Sequence, residues 1–211
     1  MEFVIIGTGR SGTGFMSKLL NSNGIPCGHE SVYGVPVKYS RYQTIAKQGR
    51  YKGDSSWLAV PYISEIRKDY PNVKFIHITR NPIDVVKSFL ELDLFNQKNI
   101  YTSEYVKLIG NHVDLANKSQ IERAISYYID WFNLIDSFKI EDKVVINLES
   151  IDYDLLSRIF GRDIKPINTI VNQKKDKKKV VVSREDVKNE IYESSRFLEL
   201  KRIANKYDYE L

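Results

Sequence analysis

Phe3-Val4-Ile5-Ile6-Gly7-Thr8-Gly9-Arg10-Ser11-Gly12-Thr13-Gly14-Phe15 is the stretch whose reading decides the fold. Four apolar residues in succession read as a strand covered on both faces, the pattern of a parallel sheet. The glycines that follow force a tight turn. Phe15, Leu19 and Leu20 then share one face of a helix that stops between Asn21 and Gly24. A strand, a glycine loop and a helix in that order present free backbone N–H groups and the positive end of a helix dipole, which together attract a phosphate-like anion. Close packing alone would explain the glycines, but not Arg10 and Ser11 at the centre of the loop.

Outward from the loop, Ile25-Pro26-Cys27 begins a second short strand. Residues 31–50, with Gly34, Pro36 and Gly49, read as an irregular insertion of the kind that holds a substrate. Trp57 to Tyr70 has helical spacing, and Pro71-Asn72 ends it. Val73 to Thr79 is the clearest strand, followed directly by a helix from Pro82 to Leu92. A variable region spans residues 93–119. Gln120 to Phe138 places Ile121, Ile125, Tyr128, Ile135 and Phe138 on one face of a core-facing helix. Lys143 to Leu148 is a strand, Tyr153 to Phe160 a short helix, and Ser183 with Asp186 caps a final helix running to about Tyr207. Strands alternating with helices predict a single α/β domain over residues 1–211, with a central parallel sheet flanked by helices and a ligand at the carboxyl ends of the strands.

Composition narrows the classes. Of 211 residues, 42% are hydrophobic and 28% charged, which excludes collagen-like and wholly disordered chains. Thirty-two Lys and Arg against 27 Asp and Glu leave a net charge of +5, enough for a nucleotide-sized anion as well as for nucleic acid. One cysteine, Cys27, excludes an internal disulfide and a cysteine-based zinc site and fits a reducing compartment. No basic leader and no long apolar run precede the first strand, so a cytoplasmic protein without a membrane span is expected. No metal site is expected either.

Three anions compete for the loop. Gly7, Gly9 and Gly12 match the G-x-G-x-x-G of NAD(P)-binding Rossmann oxidoreductases, with Glu30 near the offset of their ribose carboxylate. Gly7 and Gly12 also have the spacing of the nucleoside triphosphate loop. Thr13 and Gly14 then stand where its lysine and magnesium-binding hydroxyl belong, which argues against a kinase or ATPase. The third reading starts from Arg10, a cation inside the loop that suits a sulfonate or the oxygen joining it to phosphate. Arg10-Ser11-Gly12-Thr13-Gly14-Phe15 resembles the 5′-phosphosulfate loop of the PAPS-dependent sulfotransferases, where PAPS is 3′-phosphoadenosine 5′-phosphosulfate. That resemblance implies a nucleotide-kinase-like P-loop architecture and a metal-independent transfer. It assigns Arg10, Ser11, Gly12 and Thr13 to the 5′-phosphosulfate and Phe15 to the flank of the adenine, with Gly9 and Gly14 as further cofactor-binding positions of the loop.

A second motif separates the readings. Thr79-Arg80-Asn81-Pro82-Ile83-Asp84-Val85-Val86-Lys87-Ser88 follows the clearest strand and opens a helix, so a phosphate near that helix start meets a guanidinium and a hydroxyl together. It looks like the family's 3′-phosphate motif, with Arg80 and Ser88 as ligands and Asp84 as a structural residue. Neither rival needs a second anion site on another strand end.

The family resemblance also places a catalytic carboxylate at the end of the second strand, which here is Cys27-Gly28-His29-Glu30. Glu30 is the expected general base, His29 its alternative, and Arg10 stabilises the leaving phosphate, with PAP (adenosine 3′,5′-bisphosphate) as product. Two features depart from the cytosolic branch of the family. Its Lys-Thr-His is replaced by Lys52-Gly53-Asp54-Ser55-Ser56-Trp57, where Lys52 is a candidate to reach the sulfonate and Ser55 and Trp57 are candidates to line the cofactor pocket. Its C-terminal Arg-Lys-Gly segment is missing, and Asn172, Lys174 and Lys175 are the candidates to replace it. His77, in mid-strand, reads as a core histidine. A nucleotide-sensing or nucleic-acid-binding module using the lysine run from Lys174 to Lys179 is a further, less favoured alternative. A small-molecule or glycan acceptor is expected; the tyrosines at 33–51 and 101–105 suit stacking on a sugar or a phenol. Neither the acceptor nor the oligomeric state is written in the sequence.

Overall fold

The computed structural model describes residues 1–34, 39–96, 118–168 and 182–211. Its strands are β1 (Phe3–Ile6), β2 (Cys27–His29), β3 (Gly53–Ser55), β4 (Lys74–Thr79) and β5 (Val144–Asn147). They form one five-stranded sheet in the order β2-β3-β1-β4-β5. Every neighbouring pair is parallel, with Ile5 opposite both Ser55 and Ile76, His29 opposite Ser55, and Thr79 opposite Asn147. The carboxyl ends of all the strands therefore lie along one edge, where an α/β fold places its ligands. The expected α/β fold with a central parallel sheet is present.

Residue contacts group the chain into two compact units, residues 1–79 with 135–174 and residues 80–134 with 175–211. The first holds the whole sheet. Its helices are α1 (Thr13–Ser22), α2 (Tyr39–Lys47), a 3-10 turn (Trp57–Tyr62) running into α3 (Ile63–Asp69), and α6 (Tyr153–Phe160). Phe3, Ile5, Leu19, Leu20, Ile76, Ile78 and Leu156 are buried together between sheet and helices. His77 is fully buried in β4, the core position expected for it. The helices of the second unit are α4 (Pro82–Glu91), most of α5 (Gln120–Ser137), α7 (Arg184–Glu193) and α8 (Phe197–Lys206). Its core is aromatic, with Phe89 edge-on to Phe95 and Tyr127, and Phe132 against Tyr207. No described helix is long and apolar enough to cross a membrane.

Three elements differ from the expectation. The insertion at residues 31–50 contains α2, held by Tyr42, whose buried ring meets Tyr33 and Tyr62 edge-on and whose hydroxyl donates to the Gly34 carbonyl at 2.9 Å. Tyr33 and Tyr42 thus pack the protein itself rather than standing open to an acceptor. The final helix is two helices, because the chain turns extended at Ser194, whose hydroxyl accepts the Arg196 N–H at 3.2 Å. Arg196 is then fixed by Asp130 at 2.9 Å and Glu199 at 2.8 Å. Finally, β3 is too short to show periodicity, and its Gly53 lies against the Phe3 ring, where a Cβ would come within 2.3 Å. Gly53→Ala is therefore expected to destabilise the fold by about 1–3 kcal/mol, as overpacking of a tight core does. A lower urea midpoint at unchanged slope would read this out.

Candidate functional site

The glycine loop leaves β1 and closes on itself through Ser11, whose hydroxyl and N–H both donate to the Thr8 carbonyl, at 2.7 and 3.3 Å. Arg10 (φ 67°) and Gly12 (φ 105°) are both in the left-handed region. Such alternation turns successive N–H groups toward a common anion. At Gly12 a side chain is excluded twice, by the backbone and by the Leu148 methyls that a Cβ would approach to 2.8 Å. Gly12 begins α1 with no side-chain cap, and the first turn carries no acidic residue. The leading N–H groups of a helix have no partner within it, and the helix dipole makes this end favourable to negative charge. Thr13 and Gly14 are buried in that first turn, while Phe15 is half-buried and packs partly against the core.

The end of β2 comes to the same place. His29 Nε2 lies 3.4 Å from the Thr13 hydroxyl and 3.7 Å from the Glu30 carboxylate. Burial holds His29 below its ordinary value, opposed by the Asp54 charge and reinforced by the Arg10 guanidinium. Burial raises Glu30, against the indole N–H of Trp57 and the positive charge of Arg10, both of which favour its carboxylate. Arg10, His29, Glu30 and Thr13 are therefore assembled at the carboxyl edge of the sheet, close enough to influence one another's ionisation. Glu30 itself has φ 52°, an uncommon conformation for a non-glycine residue. Backbone strain of that kind clusters at functional sites.

β3 supplies a support that the sequence reading missed. The Asp54 side chain is fully buried and accepts the Ser31 N–H at 3.2 Å and the Tyr33 N–H at 3.0 Å. Ser55 Oγ donates to the Thr13 carbonyl at 2.8 Å, and the buried Trp57 indole favours the ionised Glu30 carboxylate. A signal did exist: Asp-Ser-Ser is an unusually polar run for a buried strand end. Lys52 does not join the site. It precedes β3, at the opposite edge of the sheet, and pairs with Glu2 at 3.3 Å.

The second motif lies in the second unit. Asn81 caps α4 by accepting the Ile83 N–H at 2.9 Å, and Pro82 occupies the first helical position, where its missing N–H costs nothing. Arg80 is half-buried, its carbonyl taking a hydrogen bond from the Tyr128 hydroxyl at 3.1 Å, and Ser88 is buried on the second turn. Asp84 pairs with Arg184 at 3.2 Å, a structural contact between α4 and α7. Asn172, Lys174 and Lys175 lie outside the described residues. Among the described residues no group of three or more His, Cys, Asp or Glu side chains is placed to hold a metal ion.

The strand order decides one of the alternatives. In the dinucleotide fold the second strand adjoins the first, in the order 3-2-1-4-5-6. Here β3 separates β2 from β1, so Glu30 leaves a strand one place too far out to act as a ribose carboxylate beside the loop.

No protein-family model matches the sequence, and no curated protein matches it. Among solved structures, the chain is similar to a sulfotransferase from Alicyclobacillus acidocaldarius, with a TM-score of 0.56 and 15% identity over 100% of this chain and 96% of that one. At that identity the likeness is one of fold, and it spans nearly the full length of both chains.

Proposed function

We propose that the chain is a sulfotransferase that moves a sulfuryl group from PAPS to a hydroxyl of a carbohydrate or other small molecule, leaving PAP. One observation carries the reading: β1 and β4 are parallel neighbours, and the chain runs from their carboxyl ends into the glycine loop and Arg80-Asn81-Pro82, the two motifs proposed to bind anions. PAPS carries phosphates at both the 3′ and the 5′ position of its ribose, which NAD or a nucleoside triphosphate does not. The residues fit such a donor. The uncapped start of α1 with Arg10 suits the 5′-phosphosulfate, and Arg80 with Ser88 suits the 3′-phosphate. Asn172, Lys174 and Lys175 are proposed as further donor contacts.

In the transfer the sulfur–oxygen bond to the 5′-phosphate breaks as a new one forms to the acceptor oxygen. Arg10 and the loop amides stabilise the negative charge left on the phosphate. The acceptor hydroxyl loses its proton to Glu30, which burial has made more basic than an exposed glutamate. His29, between Thr13 and Glu30, stays neutral at physiological pH and adds no competing charge. The arrangement asks for no metal.

Calorimetry tests the donor. Wild type is expected to bind PAP well and AMP at least about tenfold more weakly, with Arg80→Ala removing that preference. Equal affinity for PAP and AMP in wild type would end the reading, as would tight binding of NAD instead. Glu30→Gln is expected to lower turnover of labelled PAPS about 10²-fold or more while PAP affinity holds. Unchanged turnover would remove Glu30 from the role of base.

A further inference from the structure

Glu30 sits in an uncommon backbone conformation, and almost everything that holds it there comes from four consecutive residues leaving β3. Asp54 accepts the N–H groups of Ser31 and Tyr33, two of the three residues that follow Glu30. The Ser55 carbonyl accepts the N–H of Glu30 itself, at 3.2 Å. Ser56 donates its hydroxyl to the Tyr33 carbonyl. The buried Trp57 indole lies where it favours the ionised Glu30 carboxylate. Asp54 is 0% exposed, so no substrate reaches it, and its oxygens are turned to the backbone of the loop. A buried carboxylate is costly unless hydrogen bonds compensate it, and here the compensation is a fixed loop.

We propose that Asp54 and Trp57 are positioning residues for Glu30, Asp54 fixing the backbone of the loop that carries it and Trp57 orienting its carboxylate. The role of Glu30 as base rests on the sulfotransferase reading; the anchoring of its loop does not. The charged and titratable groups around the pair are Arg10 from the glycine loop, Cys27 and His29 from β2, and Tyr33 beyond Glu30. Beside them the Trp57 indole favours ionised Glu30. Its loss raises the Glu30 pKa, so the base stays protonated to a higher pH and the acid limb of turnover moves up.

Two variants of the full chain test this, Asp54→Asn and Trp57→Phe, each followed by NMR and by turnover. Asp54→Asn retains the shape of the side chain but offers one carbonyl oxygen where two carboxylate oxygens accepted. Amide exchange at Ser31 and Tyr33 is expected to speed up about tenfold or more as the loop loosens. Its kcat is expected to fall about tenfold or more, with PAP affinity within about twofold of wild type. In Trp57→Phe the carboxyl titration of Glu30 and the acid limb of kcat are expected to move together to higher pH. A purely structural role would lower the melting temperature and leave exchange at those amides, the titration and the pH profile in place; that result overturns the proposal. Should Asp54→Asn fail to fold, Trp57→Phe decides, since it keeps an aromatic ring in place. Exchange and titration shifts in a chain that neither binds PAP nor turns over PAPS would sustain the positioning and refute the proposed function.

Discussion

A helix that starts without a side-chain cap leaves its leading amides to be satisfied from outside, and α1 starts this way immediately after a buried strand. Most helices close that end with a serine, threonine or aspartate oxygen, as α6 does with Asp152 and α7 with Ser183. α1 has Gly12 there instead, in a conformation closed to side chains, with Leu148 filling the space in which a Cβ would sit. The sheet makes the arrangement useful. β1 runs at its centre and is almost wholly buried, so the loop leaves from a rigid element.

The second consequence is the division of labour along the carboxyl edge. The loop after β1 supplies positive charge, through Arg10 and the amides. The loop after β2 supplies a carboxylate and an imidazole. The end of β3 and the two residues after it hold the other two segments, through Asp54, Ser55 and Ser56 with Trp57 beside Glu30. Burial raises the Glu30 carboxyl above its ordinary value, while the Arg10 charge acts in the opposite direction. A site composed this way is electrostatically specific while resting on ordinary hydrogen bonds.

Much of the fold is legible in the sequence because local signals and tertiary structure agree. The apolar run Phe3 to Ile6, the Asn81-Pro82 start of α4, the Asp152 to Phe160 helix and the Ser183 cap all form where residue pattern and capping chemistry place them. What is not legible depends on distant partners. α2 has little apolar periodicity of its own and exists because Tyr42 docks on Tyr33 and Tyr62. The break at Ser194 turns on Arg196 reaching back to Asp130. In the candidate site, Arg10, Ser11, Thr13, His29 and Glu30 are readable from motif and strand ends. Asp54 is not: the polar run Asp54-Ser55-Ser56 marks an unusual strand end, but not that its carboxylate meets amides more than twenty residues earlier.

The central claim is that the two motifs following β1 and β4 bind the two phosphates of one adenosine bisphosphate. A crystal structure of the chain with PAP tests it most directly. The account predicts the 5′-phosphate on the amides of residues 9–14 beside Arg10, and the 3′-phosphate within hydrogen-bond reach of Arg80 and Ser88. A structure with PAP bound elsewhere, or with Arg80 and Ser88 turned away from it, would contradict the account.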